Sequence, residues 1–98
     1  MTFSAQEVLK QLGGNKFIVM TGAKNFSKDK NSIMFRIPKA RLGINYIKIK
    51  LNSMDTYDME FGKIRKFEYK VVKKVNGVYN DQLHEIFTRT TGLNTRLF

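Results

Sequence analysis

The sequence predicts an α+β fold, an antiparallel sheet of four or five strands with an N-terminal and a C-terminal helix packed on one face. Three observations predict it. Through the middle of the chain, apolar residues recur at every second position, the period of a half-buried strand. At both ends they recur at helical spacing. The links between neighbouring strands are short, which joins them antiparallel, because a parallel pair needs a crossover of about a dozen residues or more. Alternation leaves one sheet face polar, so both helices belong on the other.

Taken in order, Ser4 with Glu7 three residues on forms a capping box and opens a helix. Val8, Leu9 and Leu12 are its apolar stripe, and Gly13-Gly14 stops it. Lys16 to Thr21, KFIVMT, reads as a short strand, followed by a polar loop, GAKNFSKDKN, anchored by Phe26. Ile33, Phe35 and Ile37 share one face of the next strand, with Met34 and Arg36 on the other and Pro38 ending it. INYIKIKL is the clearest strand: Ile47, Ile49 and Leu51 point one way, Tyr46, Lys48 and Lys50 the other. In TYDMEF, Tyr57, Met59 and Phe61 alternate with Asp58 and Glu60, and Gly62 marks a bulge or turn. KFEYKVVKKV reads with Phe67, Tyr69 and Val71 inward and Lys66, Glu68 and Lys70 outward. Asn76-Gly77 is a turn signal. Asn80 or Asp81 then caps a last helix on which Leu83, Ile86, Phe87 and Thr90 share a face, with Gly92 beyond its end.

These elements predict one domain spanning residues 1–98, since a chain this short has no room for a second core. Eighteen Lys and Arg against eight Asp and Glu give a formal net charge of +10. A field of that size attracts polyanions: nucleic acid, an anionic membrane or an acidic protein. The basic residues are spread from Lys10 to Arg96 rather than gathered in a tail, so they belong to a folded surface. With no cysteine, the sequence carries no disulfide framework and no thiolate metal site, and a reducing cytoplasm is the expected setting. The longest apolar run is Phe17 to Met20, far short of the roughly 20 residues of a membrane-spanning helix.

Three blocks, LGGNKFIVMTGAKNF, GINYIKIKLNSMDTYDMEF and GVYNDQLHEIFTRTTGL, together resemble a group of small uncharacterised proteins encoded by bacteriophages and integrated mobile elements. The resemblance covers nearly the whole chain and implies an accessory protein acting in the cytoplasm of a bacterial host cell. Such proteins commonly manage phage nucleic acid or inhibit a host defence system, as anti-CRISPR proteins do. The group brings no functional residue with it.

The residues that carry chemistry are few. His84 is the only histidine and sits at the flank of a helix face, where a surface role accounts for it; a triad is defined by geometry and not by residue type. No GxxxxGK[ST] or GxGxxG phosphate loop is present. Asp55, Asp58 and Glu60 precede Glu68-Tyr69-Lys70, a pattern that resembles the PD-(D/E)xK nucleases, in which carboxylates hold Mg²⁺ and the Lys assists attack on phosphate. Alternation puts Asp58, Glu60, Glu68 and Lys70 on one face, but cross-strand pairing of acids with lysines explains them equally. The expectation is therefore a binding protein, with no catalytic residues, no metal and no cofactor.

The polar sheet face supplies the better candidate. Arg36, Lys48, Lys50, Lys66, Lys70 and Lys74 are expected to project from it with Tyr46 among them. Spaced cations hold phosphates, and an aromatic beside them stacks on an unpaired base. Lys24, Lys28, Lys30, Lys39 and Arg41 extend the patch if the loops fold that way. A face of alternating lysines also serves solubility alone. Neither helix joins a basic face to large apolar anchors, which argues against a membrane. The leading expectation is stoichiometric binding of DNA or RNA with little base specificity. The alternatives are an anti-defence inhibitor that binds a host effector protein and a Mg²⁺-dependent nuclease.

Overall fold

An open antiparallel sheet takes its five strands in chain order, and helices cover one side of it. The computed structural model describes residues 4–38 and 40–92. Helices α1 (Ala5–Leu12) and α2 (Asn15–Thr21) lead into strands β1 (Lys24–Lys28), β2 (Ser32–Arg36), β3 (Tyr46–Leu51), β4 (Tyr57–Arg65) and β5 (Glu68–Val78), and helix α3 (Leu83–Thr91) follows. Single 3-10 turns at Arg41–Gly43 and Asn80–Gln82 complete the order. This is the α+β class and sheet topology that the alternation predicts.

The register shows why the alternating residues are where they are. Ile33, Ile49 and Met59 stand opposite one another across β2, β3 and β4, as do Phe35, Ile47 and Phe61. All six are buried. Above them lie Val8 and Leu12 of α1, Phe17 of α2, and Leu83 and Phe87 of α3, in the same core. The Phe17 ring makes edge contacts with Phe35 at 5.7 Å and Phe87 at 4.8 Å between centroids, tying two helices to the sheet. Buried rings of this size dominate the energetics of a small core.

Three elements depart from the sequence expectation. KFIVMT is helix α2, not a strand: Phe17 and Thr21 are buried one turn apart, while Val19 and Met20 are exposed. Strand propensity yields here to packing, since Phe17 fills the centre of the core only at a helical angle. The Gly13-Gly14 pair ends α1 at Leu12 as expected, and a second helix starts directly after it. Both glycines hold positive φ, and Gly14 serves as N-cap of α2, a position where glycine is well tolerated.

The polar loop contains strand β1, exposed along its whole length. An edge strand needs only one partner, and lysine-rich sequence is typical of edges that discourage further pairing. Phe26 does anchor it, its ring 5.3 Å from that of Phe35.

The third departure is in β5. The register shifts between Phe61 and Gly62, whose partners are Lys73 and Val71, so Val72 is extra. One extra residue puts the β5 side chains that precede it on the opposite face from the one that alternation counted back from Lys74 assigns. Phe67, Tyr69 and Val71 are consequently exposed and not inward. Asn76-Gly77 is a second bulge inside β5 and not a hairpin turn: Tyr57 pairs with Val78 but Met59 with Val75. Gly77 takes the left-handed conformation there, φ 70°, and its N–H donates to Asp58 Oδ1 at 3.1 Å.

At the termini, Ser4 Oγ accepts the Glu7 N–H as the capping pattern predicts. Neither Asn80 nor Asp81 caps the last helix. Instead, the Gln82 side chain accepts the Tyr79 N–H across the 3-10 turn, and Gly92 ends α3 in the left-handed conformation.

Candidate functional site

The uncovered sheet face is a lattice of charged residues set by register. Lys48 on β3 stands between Met34 and Glu60, and Glu60 faces Lys74 on β5. Lys50 stands between Ser32 and Asp58, and Tyr46 between Arg36 and Gly62. Of the expected site residues, the structure thus brings together Arg36, Tyr46, Lys48, Lys50 and Lys74. Lys24, opposite Arg36, extends the row to the sheet edge.

Lys66 and Lys70 do not join them. Lys66 sits in the β4–β5 turn with φ 55°. Lys70 faces Lys63, on the helix side of the sheet by the shift at Val72. Unbroken alternation counts both onto the open face; the turn removes Lys66 and the shift at Val72 removes Lys70. Lys28 and Lys30 line a depression with Ser4, Ala5 and Gln6 at the start of α1. Arg41 donates to the Arg89 carbonyl at the end of α3, and Lys39 lies outside the described residues.

Lys48, Lys50, Asp58, Glu60, Lys74 and Asn76 line a shallow depression of about 280 Å³ on the open face. Its two carboxylates are held differently. Asp58 Oδ1 accepts from Asn52 Nδ2 at 2.9 Å as well as from Gly77, and Asn52 Oδ1 in turn accepts the N–H groups of Met54 and Thr56. Asp58 thus organises the β3–β4 loop and the β5 bulge. Glu60 lies 3.6 Å from Lys74 Nζ and accepts the Tyr69 hydroxyl. An exposed pair of that kind contributes about 0–1 kcal/mol, so Lys74 is readily released to another anion.

Tyr69 is the residue that the alternation hides. Its ring lies over Gly62, where an added Cβ would come within 2.3 Å of Cε1. It packs against the Tyr46 ring with centroids 5.2 Å apart and planes at 53°. Burial raises the pKa of Tyr69 well above its ordinary value, and the hydrogen bond and charge of Glu60 raise it further. Tyr46 is raised by burial and by Glu60. Both phenols therefore stay neutral across the physiological range. The signal available in the sequence was Gly62 itself, since a glycine inside a strand often leaves room for a cross-strand aromatic.

Phe67 is the second missed residue. It occupies the β4–β5 turn with its side chain fully in solvent, relative exposure 104%. Arg65 and Lys66 precede it.

The acidic pattern disperses. Glu68 faces Arg65 at the hairpin end, whereas Asp58 and Glu60 lie opposite Lys50 and Lys48. Among the described residues, no group of three or more His, Asp or Glu side chains is placed to hold a metal ion. None of the described helices is long and apolar enough to cross a membrane. Compared with known proteins, the chain matches no family model, no curated protein and no solved structure.

Proposed function

We propose that the protein binds nucleic acid on the open face of its sheet, with little base specificity and a preference for unpaired strands. The observation that carries this reading is the Tyr46–Tyr69 pair flanked by Arg36, Lys48, Lys50 and Lys74. Every base offers a face for stacking, and phosphates are held by cations without regard to sequence. Three of the four cations are lysines, which act as point charges and do not read base edges with the forked geometry of arginine. The bacteriophage context implied by the resemblance fits such a role. The protein then acts by stoichiometric binding, and the separation of Glu68 from Asp58 and Glu60 favours this over a nuclease.

Tyr46→Ala tests the stacking directly. Base–aromatic stacking contributes about 1–3 kcal/mol per base, so single-stranded DNA or RNA should bind this variant at least about fivefold more weakly, with duplex affinity nearly unchanged. Equal losses on both substrates would reduce Tyr46 to a structural role.

A second reading is an inhibitor that binds a host defence protein. Asp58 and Glu60, set among the lysines, favour it, because a mixed-sign surface discriminates between protein partners. Capture of one defined host effector by the pure protein, undiminished by nuclease treatment and lost when Glu60 is reversed to Lys, supports that reading over the first.

A further inference from the structure

The β4–β5 hairpin reaches past the rest of the sheet. Pairing of β3 with β4 ends at Tyr46–Gly62, but β4 and β5 continue as a two-stranded ribbon through Lys63–Lys70 and Ile64–Tyr69 to Arg65–Glu68. Asn45 braces the base of this ribbon: its side chain donates to the Ile64 carbonyl at 2.9 Å and accepts the Ile64 N–H at 2.8 Å. From Lys63 to Lys70 the ribbon carries Lys63, Arg65, Lys66 and Lys70 against one acid, Glu68. At its apex is Phe67, the most exposed of the large apolar side chains described.

Two properties of this apex point to the same ligand. An isolated exposed Phe is unremarkable on a protein surface, but this one is presented by a ribbon whose cations would pull phosphates alongside it. A two-stranded ribbon also matches the width of a nucleic-acid groove, and apolar side chains on DNA-binding proteins commonly wedge into base steps. The ribbon is continuous with the open face, because Tyr69 lies on that face two residues from Phe67. A strand stacked on Tyr46 and Tyr69 therefore leads towards the apex.

We propose that Phe67 is a wedge that stacks on the terminal base pair of a duplex where it meets a single strand, with Lys63, Arg65, Lys66 and Lys70 holding the duplex phosphates. This rests on the open face binding the single strand. The protein would accordingly prefer a junction to either strand form alone.

The test uses forked DNA carrying a fluorescent adenine analogue in the last base pair before the fork, with single-stranded and blunt duplex DNA as controls. Wild-type protein should bind the fork most tightly and change the analogue's fluorescence on binding. Phe67→Ala should lose that change and bind the fork about tenfold more weakly, at the level of one lost base stack, while single-strand affinity is unaltered. Phe67→Trp should retain both. The side chain is fully exposed, so the variants should fold, which their thermal transitions verify. Fork binding and fluorescence unchanged in Phe67→Ala overturn the wedge. If instead Phe67→Ala fails at the fork while Tyr46→Ala leaves single-strand binding intact, the wedge survives and the open-face reading falls. A wild-type protein that binds none of the three DNAs overturns both.

Discussion

Tyr69 rests on Gly62 because the glycine leaves that space empty, and this one contact shapes the open face. With the ring in place, the hydroxyl reaches Glu60 and the ring edge meets Tyr46. Burial, Glu60 and Tyr46 hold the phenol above its ordinary pKa near 10, and burial followed by the Glu7 carboxylate raises Tyr57 in the same direction. The sign follows from proton binding. A tyrosine raised by folding adds stability that is complete below about pH 10 and is lost as pH climbs through the folded value, because the unfolded chain ionises first. The protein should therefore lose stability steeply above pH 10. Gly62→Ala should expel the Tyr69 ring, so that one tyrosine titrates at a lower pH, as read by tyrosinate absorbance, and the alkaline loss becomes shallower. A titration identical to wild type would mean that the ring does not depend on Gly62.

The strands β2, β3 and most of β4 were legible because strict alternation met a sheet buried on one side: Ile47, Ile49 and Leu51 are inside, and Lys50 is outside. Where the reading failed, a local signal was overruled by something distant. KFIVMT has strand composition, but the core needs Phe17 at a helical angle between Phe35 and Phe87. The β5 assignment failed at a single residue, Val72, since nothing in KFEYKVVKKV marks a bulge there. Asn76-Gly77 carried the right chemistry and the wrong topology. Positive φ was required, but within a bulge held by Asp58 rather than in a two-residue turn. An added Cβ at Gly77 meets nothing within 4 Å, so Gly77→Ala should cost only the left-handed backbone penalty of about 1–2 kcal/mol. Denaturant unfolding measures it. A loss well beyond that range would show that the bulge tolerates no shift at all.

Opposite roles for the two sides of the sheet make sense of the charge. One side holds the helices and the whole apolar core, and the other presents a row of lysines and an arginine with two acids and two tyrosines among them. Much of the site was legible: Arg36, Tyr46, Lys48, Lys50 and Lys74 follow from counting alternate positions. Tyr69 and Phe67 were not, because both depend on the β5 bulge and the turn beyond it. A net charge of +10 alone promises only attraction to polyanions. The arrangement predicts where the contacts fall, and salt dependence counts them. Each single-strand phosphate neutralised contributes about −0.7 to the slope of log affinity against log salt. Titrations of a labelled single-stranded oligonucleotide at several salt concentrations, with wild type and Lys48→Ala/Lys50→Ala, should give a steep negative slope that the double variant flattens by about 0.7–1.4 units. No binding at low salt, or the same slope in both proteins, would contradict an open-face nucleic-acid site.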